Sequence, residues 1–219
     1  MQTSSATIII ADDHPLFRGA LKQALAFGGQ ETAIVEAGSL EEARKAAEAH
    51  PDADLMMLDL TMPGVSGLSG LMMMRAEFPA IPVAVVSATD DAATIRRALD
   101  LGASGFISKS SGIDDIRAAI AAVLDGGVYA PPGYEAGRDQ DNEIDALIGR
   151  LKTLTPQQTR VLGMIGEGLL NKQIAYELGV SEATVKAHVS AILLKLDVDS
   201  RTQAVIQIGK IGAALPQAN

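Results

Sequence analysis

Four short apolar runs in the first half of the chain end at, or just before, residues that can take part in phosphoryl chemistry. These residues are Asp12, Asp13, Asp59, Ser87 and Lys109. Three carboxylates that meet at one place would repel one another unless a cation lay among them, and an all-oxygen ligand set suits Mg²⁺. Beside bound magnesium, one carboxylate can attack phosphorus while a lysine and a hydroxyl hold the phosphoryl oxygens. The pattern therefore predicts a carboxylate that accepts a phosphoryl group.

These side chains can meet only if the apolar runs form neighbouring strands. The runs are Ala6–Ala11, Thr32–Ala37, Asp54–Leu58, Pro82–Ser87 and Gly105–Ser108. Segments with helical periodicity separate them. In the first of these the pattern places five residues on one helical stripe: Leu16, Ala20, Leu21, Ala24 and Leu25. Apolar strands that alternate with amphipathic helices are typical of a parallel sheet covered on both faces. We therefore predict a doubly wound, five-stranded parallel α/β domain that binds its ligand at the carboxyl ends of the strands.

Residues 171–196 have the pattern of a helix, a short turn and a second helix. Gly179 ends the first helix and Ser181 caps the second. The inner side of the second helix carries Val185, Val189, Ile192 and Leu196, and its outer side carries Ala183, Lys186, Ala187, Ser190 and Leu194. A helix whose outer face is small and carries one cation can lie deep in the major groove. The last part of the chain is therefore predicted to be a small all-α helix-turn-helix domain.

A stretch rich in glycine and proline separates the two parts. Residues 126–137 (GGVYAPPGYEAG) have no periodicity, and a short helix is predicted over 139–152. Thr155 and Pro156 are a good N-cap and first residue for the helix that follows. We therefore expect three regions: a phosphoacceptor domain over residues 1–128, a linker over 129–152 and a DNA-binding domain over 153–219.

The net charge of -9 hides a difference between these regions. Residues 1–130 carry 9 Lys and Arg against 17 Asp and Glu (-8), and residues 131–150 carry 2 against 5 (-3). Residues 151–219 carry 7 against 5 (+2), which is the only basic excess. Because this excess is small, we expect any affinity for double-stranded DNA to depend on a few well-placed cations and on dimerisation.

The composition also limits the cellular location and the chemistry. The chain has no cysteine, which excludes disulfides, thiol catalysis and cysteine-based zinc sites. Its first residues have neither the basic start nor the apolar core of a signal peptide. No stretch approaches the roughly 18 to 20 apolar residues that a membrane span needs. We expect a cytoplasmic protein with no membrane partner.

The first domain resembles the receiver domain of two-component response regulators. The matching motifs are IIIADDHPLFRGAL at 8–21, LDLTMPGVSG at 58–67, VVSA at 85–88 and GFISK at 105–109. The resemblance implies a flavodoxin-like fold in which a sensor histidine kinase phosphorylates Asp59. It also implies roles for the neighbouring residues: Mg²⁺ ligands at Asp12, Asp13, Asp59 and the backbone carbonyl of Thr61, phosphoryl contacts at Lys109 and Ser87, and an aromatic switch residue at Phe106.

The second domain resembles the LuxR-type helix-turn-helix domain of NarL/FixJ regulators. The matching motifs are LTPQQTRVL at 154–162, residues 171–196, and SRTQAV at 200–205. The resemblance implies base contacts from Lys186, Ala187 and Ser190, and phosphate contacts from Lys172, Thr184, Lys195 and Arg201. Gln158 and Arg160 depart from the family pattern, in which acidic residues are common at these two positions.

The two domains would be coupled by phosphorylation. A phosphoryl group adds about -1.5 to -2 charge, and we expect it to draw Ser87 and then Phe106 inward. The receiver would then release the reading helix that it covers, and the protein would form a homodimer. Apolar residues of the last helix are the predicted dimer contacts: Ala204, Val205, Ile208 and Ile211.

Three other functions remain open from the sequence. The first is an aspartyl-phosphate phosphohydrolase, but such enzymes commonly have a second carboxylate two residues after the nucleophile, where this chain has Thr61. We therefore expect no turnover enzyme, only slow self-phosphorylation and self-dephosphorylation. The others are a receiver whose second domain binds a protein, and a transcription factor that works without phosphorylation.

Overall fold

The computed structural model describes residues 6–26, 32–65, 67–134 and 142–213, so part of the predicted linker, 135–141, lies outside the described residues. In the first domain, strands and helices alternate along the chain as β1 (Ala6–Ala11), α1 (Pro15–Ala26), β2 (Thr32–Ala37), α2 (Leu40–Ala49), β3 (Leu55–Asp59), α3 (Ser69–Glu77), β4 (Val83–Ser87), α4 (Ala92–Asp100), β5 (Gly105–Ser108) and α5 (Ile113–Leu124). These bounds lie within about one residue of the predicted apolar runs.

The five strands form one parallel sheet in the order β2-β1-β3-β4-β5. Every residue of β3, β4 and β5 is buried, because helices cover both faces of the sheet. The predicted doubly wound α/β fold is confirmed. In this order the chain moves outward from β1 to β2 and then returns past β1 to β3. A crevice therefore opens beyond the carboxyl ends of β1 and β3, where Asp12 and Asp59 lie.

Polar side chains fix the ends of several helices in this domain. The Ser39 hydroxyl accepts a hydrogen bond from the Glu42 amide at the start of α2, and Asp91 accepts one from the Thr94 amide at the start of α4. Tyr129 forms a parallel bridge with Gly105, so the chain after α5 returns to the edge of the sheet. Of the apolar stripe predicted on α1, Leu21 and Ala24 are buried, whereas Ala20 and Leu16 are exposed, Leu16 to 91%.

The second domain is helical: α6 (Asn142–Leu151), α7 (Pro156–Gly166), α8 (Asn171–Leu178), α9 (Glu182–Leu196) and α10 (Arg201–Ala213). A capping box of Thr155 and Gln158 begins α7. Gly179 ends α8 at φ 63°, a left-handed conformation that favours glycine. The Ser181 hydroxyl then accepts a hydrogen bond from the Thr184 amide and begins α9. The predicted helix-turn-helix thus spans α8 and α9.

The two domains pack against each other through α3 of the first and α7 of the second. Gly163 of α7 lies so close to Met73 of α3 that a Cβ atom on the glycine would be 3.1 Å from the methionine sulfur. One cluster of buried apolar residues runs from the sheet through this contact into the helical domain. Among the described helices, none is long and apolar enough to cross a membrane.

Candidate functional site

The predicted acidic site is assembled at the carboxyl edge of the sheet. Asp59 ends β3 and Asp12 follows β1, and both side chains are almost completely buried. Lys109 follows β5 and lies between them, with its Nζ 2.7 Å from Asp12 Oδ2 and 2.9 Å from Asp59 Oδ2. Two buried carboxylates close to one ammonium group form a compact charged centre, and the uncompensated negative charge favours a further cation.

Lys109 is held in place by its backbone and by its side chain. Its backbone amide donates to the Ser87 carbonyl at 2.8 Å, which continues the pairing of β4 and β5. Its ammonium group lies 5.2 Å from the centre of the Phe17 ring, within the range of a cation–π contact. Burial disfavours the charged lysine, but hydrogen bonds to Asp12 and Asp59 outweigh that penalty and raise the pKa of Lys109. The lysine is therefore charged at neutral pH.

Thr61 holds the Asp59 carboxylate in a way that the sequence pattern did not predict. Its hydroxyl donates to Asp59 Oδ1 and Oδ2 at 3.0 and 3.1 Å, and its amide donates to Oδ1 at 3.1 Å. A hydrogen bond from the amide two residues after an aspartate is a common turn geometry, so the spacing was a usable signal. Thr61 thus fixes the orientation of Asp59 from within the same turn.

The side chains at this edge of the sheet form a ligand set that suits a divalent cation. Asp12, Asp13, His14 and Asp59 each offer one atom, and these four atoms lie within 4.8 Å of one another. His14 was not predicted as part of the cluster; its Nδ1 lies 2.7 Å from Asp13 Oδ1. Three carboxylates that converge in this way match the oxygen preference of Mg²⁺. The residues present therefore fit the predicted magnesium ion.

The two predicted switch residues are both buried. Ser87 follows Val86, which pairs with Asp59 across the sheet, so Ser87 lies beside the phosphoacceptor. Its hydroxyl oxygen accepts a hydrogen bond from the Thr89 amide at 3.0 Å. Phe106 is 0% exposed, and its predicted role as a switch residue remains a prediction.

The outer face of α9 is open to solvent. The side chain of Lys186 is 64% exposed, and Ala187 and Ser190 are also exposed. On the inner side, Val185, Ile192 and Leu196 are buried against the other helices of the domain. This separation of faces agrees with the sequence pattern. The receiver does not cover this face, which contradicts the expectation that it masks the reading helix.

The cations near α9 differ in their surroundings. Lys172 and Thr184 are exposed, and Lys186 pairs with Glu182 at 3.1 Å. Lys195 instead donates to the Thr153 carbonyl at 2.7 Å and to Gln158 Oε1 at 2.8 Å. Arg201 is likewise bonded inside the domain, to the Leu169 carbonyl and the Asn171 side chain. Lys195 and Arg201 are therefore engaged in the domain fold and do not project freely toward a ligand.

Of the four predicted dimer residues on α10, two are buried and two are half-buried. Ala204 and Ile211 are buried in the core of the helical domain. Val205 and Ile208 line a cavity of about 220 Å³ that Met72 and Met73 of α3 also line. Ile206, which was not predicted, is the more exposed apolar residue of this helix.

The fold and the site together define a receiver-type phosphoacceptor domain joined to a helix-turn-helix domain. Comparisons with known proteins agree with this class. Residues 8–121 match the family model of the response regulator receiver domain, and residues 152–208 match that of the bacterial regulatory proteins of the luxR family.

Relatives match along almost the whole chain. The glycerol metabolism activator of Pseudomonas putida is 44% identical over 210 residues, covering 93% of this chain and 95% of that protein. The nitrate/nitrite response regulator NarL of Escherichia coli K12 is 32% identical over 205 residues, covering 93% and 94%.

Among solved structures, RcsB of Salmonella enterica serovar Typhimurium bound to a promoter has a similar fold, with a TM-score of 0.54 and 24% identity over 95% of this chain and 100% of that one. The chain belongs to the response regulator family, as a transcriptional regulator with a receiver domain and a luxR-type helix-turn-helix domain.

Proposed function

We propose that a sensor histidine kinase phosphorylates Asp59 and that this modification controls DNA binding by α9. The observation that carries the proposal is the position of Lys109, whose ammonium group contacts the buried carboxylates of both Asp12 and Asp59. Such a centre is suited to hold an aspartyl phosphate, because the lysine remains close to the new phosphoryl oxygens.

In the proposed reaction, an Asp59 oxygen bonds to phosphorus as the phosphorus–nitrogen bond of the kinase phosphohistidine breaks. Thr61 orients the carboxylate through its hydroxyl and amide, and Lys109 balances the added negative charge. Asp12, Asp13, Asp59 and the Thr61 carbonyl would hold Mg²⁺, which when bound neutralises the phosphoryl oxygens. Because the side chain at position 61 is a hydroxyl and not a carboxylate, rapid hydrolysis of the phosphoaspartate is not expected.

For DNA, we propose that the outer face of α9 enters the major groove. Lys186, Ala187 and Ser190 would face base edges, and Lys172 and Thr184 would contact phosphates. Lys195 is left out of this set, because Thr153 and Gln158 already use its ammonium group. RcsB is described as dimers bound to DNA, and we propose that the phosphorylated form of this chain likewise binds as a homodimer.

The test is stoichiometric labelling with acetyl phosphate and Mg²⁺, followed by DNA binding. Wild-type protein should incorporate one phosphoryl group per chain, and Asp59→Asn should incorporate none while keeping its folded circular dichroism spectrum. Labelled protein should shift genomic fragments more strongly than unlabelled protein. Labelling at another residue, or continuous turnover of the donor, would contradict the proposal.

Binding assays with the same genomic DNA fragments distinguish the two non-enzymatic alternatives, a factor that works without phosphorylation and a second domain that binds a protein. Binding that is equal in wild type and Asp59→Asn, with or without donor, would favour a factor that works without phosphorylation. Absence of DNA binding in both states, at low salt, would favour a second domain that binds a protein.

A further inference from the structure

We propose that His14 is a metal ligand, and that through it the acidic site binds a transition-metal ion, such as Zn²⁺ or Co²⁺, in competition with Mg²⁺. This inference concerns the ion of the proposed phosphoacceptor site and therefore rests on the proposed function. It adds a nitrogen ligand to a site for which the sequence predicted oxygen ligands alone. The four residues that carry it are Asp12, Asp13, His14 and Asp59, and we call them the carboxylate–histidine cluster.

The first observation is the spacing of the potential ligand atoms. His14 Nδ1 lies 2.7 Å from Asp13 Oδ1 and 3.2 Å from Asp12 Oδ1. Around an octahedral ion with bonds of about 2.1 Å, neighbouring ligand atoms are about 3.0 Å apart and opposite ones about 4.2 Å apart. The four atoms of the cluster lie within 4.8 Å of one another. The imidazole nitrogen is therefore close to the position that a ligand of one shared ion occupies.

The second observation is that the backbone holds His14 at this position. Its amide donates to Asp12 Oδ1 at 2.7 Å, so the carboxylate and the histidine share one turn. Its carbonyl accepts from the amides of Phe17 and Arg18 at 3.1 Å, which anchors His14 to the first turn of α1. Pro15 follows, and a residue before proline is restricted to extended backbone conformations. The direction in which the imidazole leaves the backbone is therefore set before an ion binds, which lowers the entropy cost of binding.

The third observation is the difference in burial across the cluster. Asp12 and Asp59 are almost completely buried, whereas the side chain of His14 is 63% exposed and that of Asp13 is 33% exposed. The cluster therefore opens to solvent on the side of His14, which gives an ion a path of entry. Three carboxylates beside the single ammonium group of Lys109 leave two negative charges in excess, and one divalent ion neutralises them.

The kind of ligand decides which ion gains from His14. Mg²⁺ prefers oxygen ligands and keeps several waters, whereas Zn²⁺, Co²⁺ and other first-row transition-metal ions bind imidazole nitrogen well. The imidazole therefore adds a bond for a transition-metal ion and adds little for Mg²⁺. Since the chain has no cysteine, thiolate ligands do not compete for these ions.

A purely structural role of His14 predicts a different result. The contact between its Nδ1 and Asp13 Oδ1 would then only orient the carboxylate, and its loss would weaken the binding of every divalent ion to a similar extent. A ligand role instead affects transition-metal ions selectively. The affinities of one variant for two different ions therefore separate the two roles.

The test is calorimetric titration of the full-length, unphosphorylated protein with Co²⁺ and, separately, with Mg²⁺. Within the part of the chain that the structure describes, no second group of three such side chains converges, so one Co²⁺ per chain is expected. His14→Gln should raise the dissociation constant for Co²⁺ by about tenfold or more, and should lower the ratio of Co²⁺ to Mg²⁺ affinity by a similar factor. His14→Glu keeps a ligand but replaces nitrogen by oxygen, so it should also lower this ratio.

A spectroscopic signature and matched controls accompany the titration. Because Co²⁺ is paramagnetic, the proton NMR spectrum of the wild-type complex should contain strongly shifted imidazole resonances, and both His14 variants should lack them. His50→Gln and His188→Gln remove the other two histidines of the chain and should change neither the resonances nor the dissociation constants. Asp59→Asn removes a carboxylate of the cluster and should weaken the binding of both ions.

Two results would overturn the inference. One is a His14→Gln protein with an unchanged ratio of Co²⁺ to Mg²⁺ affinity, which would limit His14 to positioning Asp13. The other is shifted imidazole resonances that persist in His14→Gln and disappear in His50→Gln or His188→Gln, which would locate the ion elsewhere. In both cases, Mg²⁺-dependent labelling of Asp59 would leave the proposed function standing. A wild-type protein that binds Co²⁺ through His14 but accepts no phosphoryl group would support the metal site and contradict the proposed function.

Discussion

Replacing Gln158 by glutamate is expected to stabilise the helical domain. The Gln158 side chain is almost buried at the start of α7, where its Oε1 accepts from the Thr155 amide at 3.0 Å and from Lys195 at 2.8 Å. Gln158→Glu keeps the shape of this acceptor and gives it a negative charge. The hydrogen bond from the Thr155 amide then becomes charge-assisted, and the contact with the Lys195 ammonium group, which is already charge-assisted, becomes an ion pair. The new charge also lies at the N-terminal end of a helix dipole.

The net gain follows from three contributions. The hydrogen bond from the neutral Thr155 amide gains about 1 kcal/mol when its acceptor becomes charged, and the new ion pair with Lys195 adds up to about 1 kcal/mol. The helix N-terminus adds about 0.5 kcal/mol. Burying the carboxylate costs several kcal/mol in the absence of a partner, and here Lys195 offsets most of that cost. We therefore expect an increase of about 1 kcal/mol in the free energy of unfolding.

The assay is urea denaturation of the full-length protein at pH 7 and at low pH. Lys195 should lower the pKa of the new carboxylate below the unfolded value of about 4.3, so the gain is present above that pH and is lost as the pH falls through the folded pKa. Gln173→Glu is the matched control: Gln173 caps α8 in the same way, by accepting from the Leu170 amide at 2.8 Å, and it is exposed.

Two outcomes would refute this reasoning. If Gln173→Glu stabilised the protein as much as Gln158→Glu, capping alone would explain the gain and the contact with Lys195 would contribute nothing. If Gln158→Glu lowered the free energy of unfolding at pH 7, the desolvation of the carboxylate would outweigh both of its partners. In a double-mutant cycle, Lys195→Met should remove most of the gain.

Three further predictions concern single side chains. Thr61→Val removes the hydroxyl contacts to Asp59 but keeps the amide contact, so labelling by acetyl phosphate should slow by up to about tenfold and not be abolished; complete loss would show that the hydroxyl does more than orient the carboxylate. Lys172→Ala should weaken DNA binding equally for all sequences and reduce by about 1 the slope of log binding constant against log salt concentration. A change in sequence preference would contradict a phosphate contact. Burial, followed by the charge of Asp115, raises the pKa of Tyr129, so the free energy of unfolding should fall as the pH rises above about 10. In urea titrations, Tyr129→Phe should make this loss of stability smaller. If the loss of stability were the same in Tyr129→Phe, other ionisable groups would be its cause.

The receiver fold and its site could be predicted because their determinants are local in sequence. A parallel strand covered on both faces is an apolar run of about five residues, and the residue after each run must lie at the same edge of the sheet. Asp12, Asp59 and Lys109 meet for that reason alone. Thr61 was identified for its carbonyl, whereas the structure also uses its hydroxyl and amide, which depend on the conformation of one turn.

Other features could not be predicted because they depend on contacts between distant segments. Leu16 fits the apolar stripe of α1, but it lies in the first turn of the helix, and its side chain is exposed. Lys195 has the spacing of a phosphate contact, yet the start of α7 lies close enough to take its ammonium group. The contact of α10 with α3 depends on the arrangement of the two domains, about which periodicity within one helix carries no information.

Helix α7 shows how two departures from the family pattern act together. At position 158 an amide replaces the common acid, so Lys195 keeps a hydrogen bond but lacks an ion pair inside the helical domain. At position 160 an arginine replaces the common acid, so α7 gains an attraction to Glu77 of the receiver. Both changes favour contacts with the receiver over contacts within the helical domain, because one weakens the domain's internal contacts and the other strengthens its attachment to the receiver. A protein that carried acids at both positions should therefore have a more stable helical domain and a weaker interdomain contact.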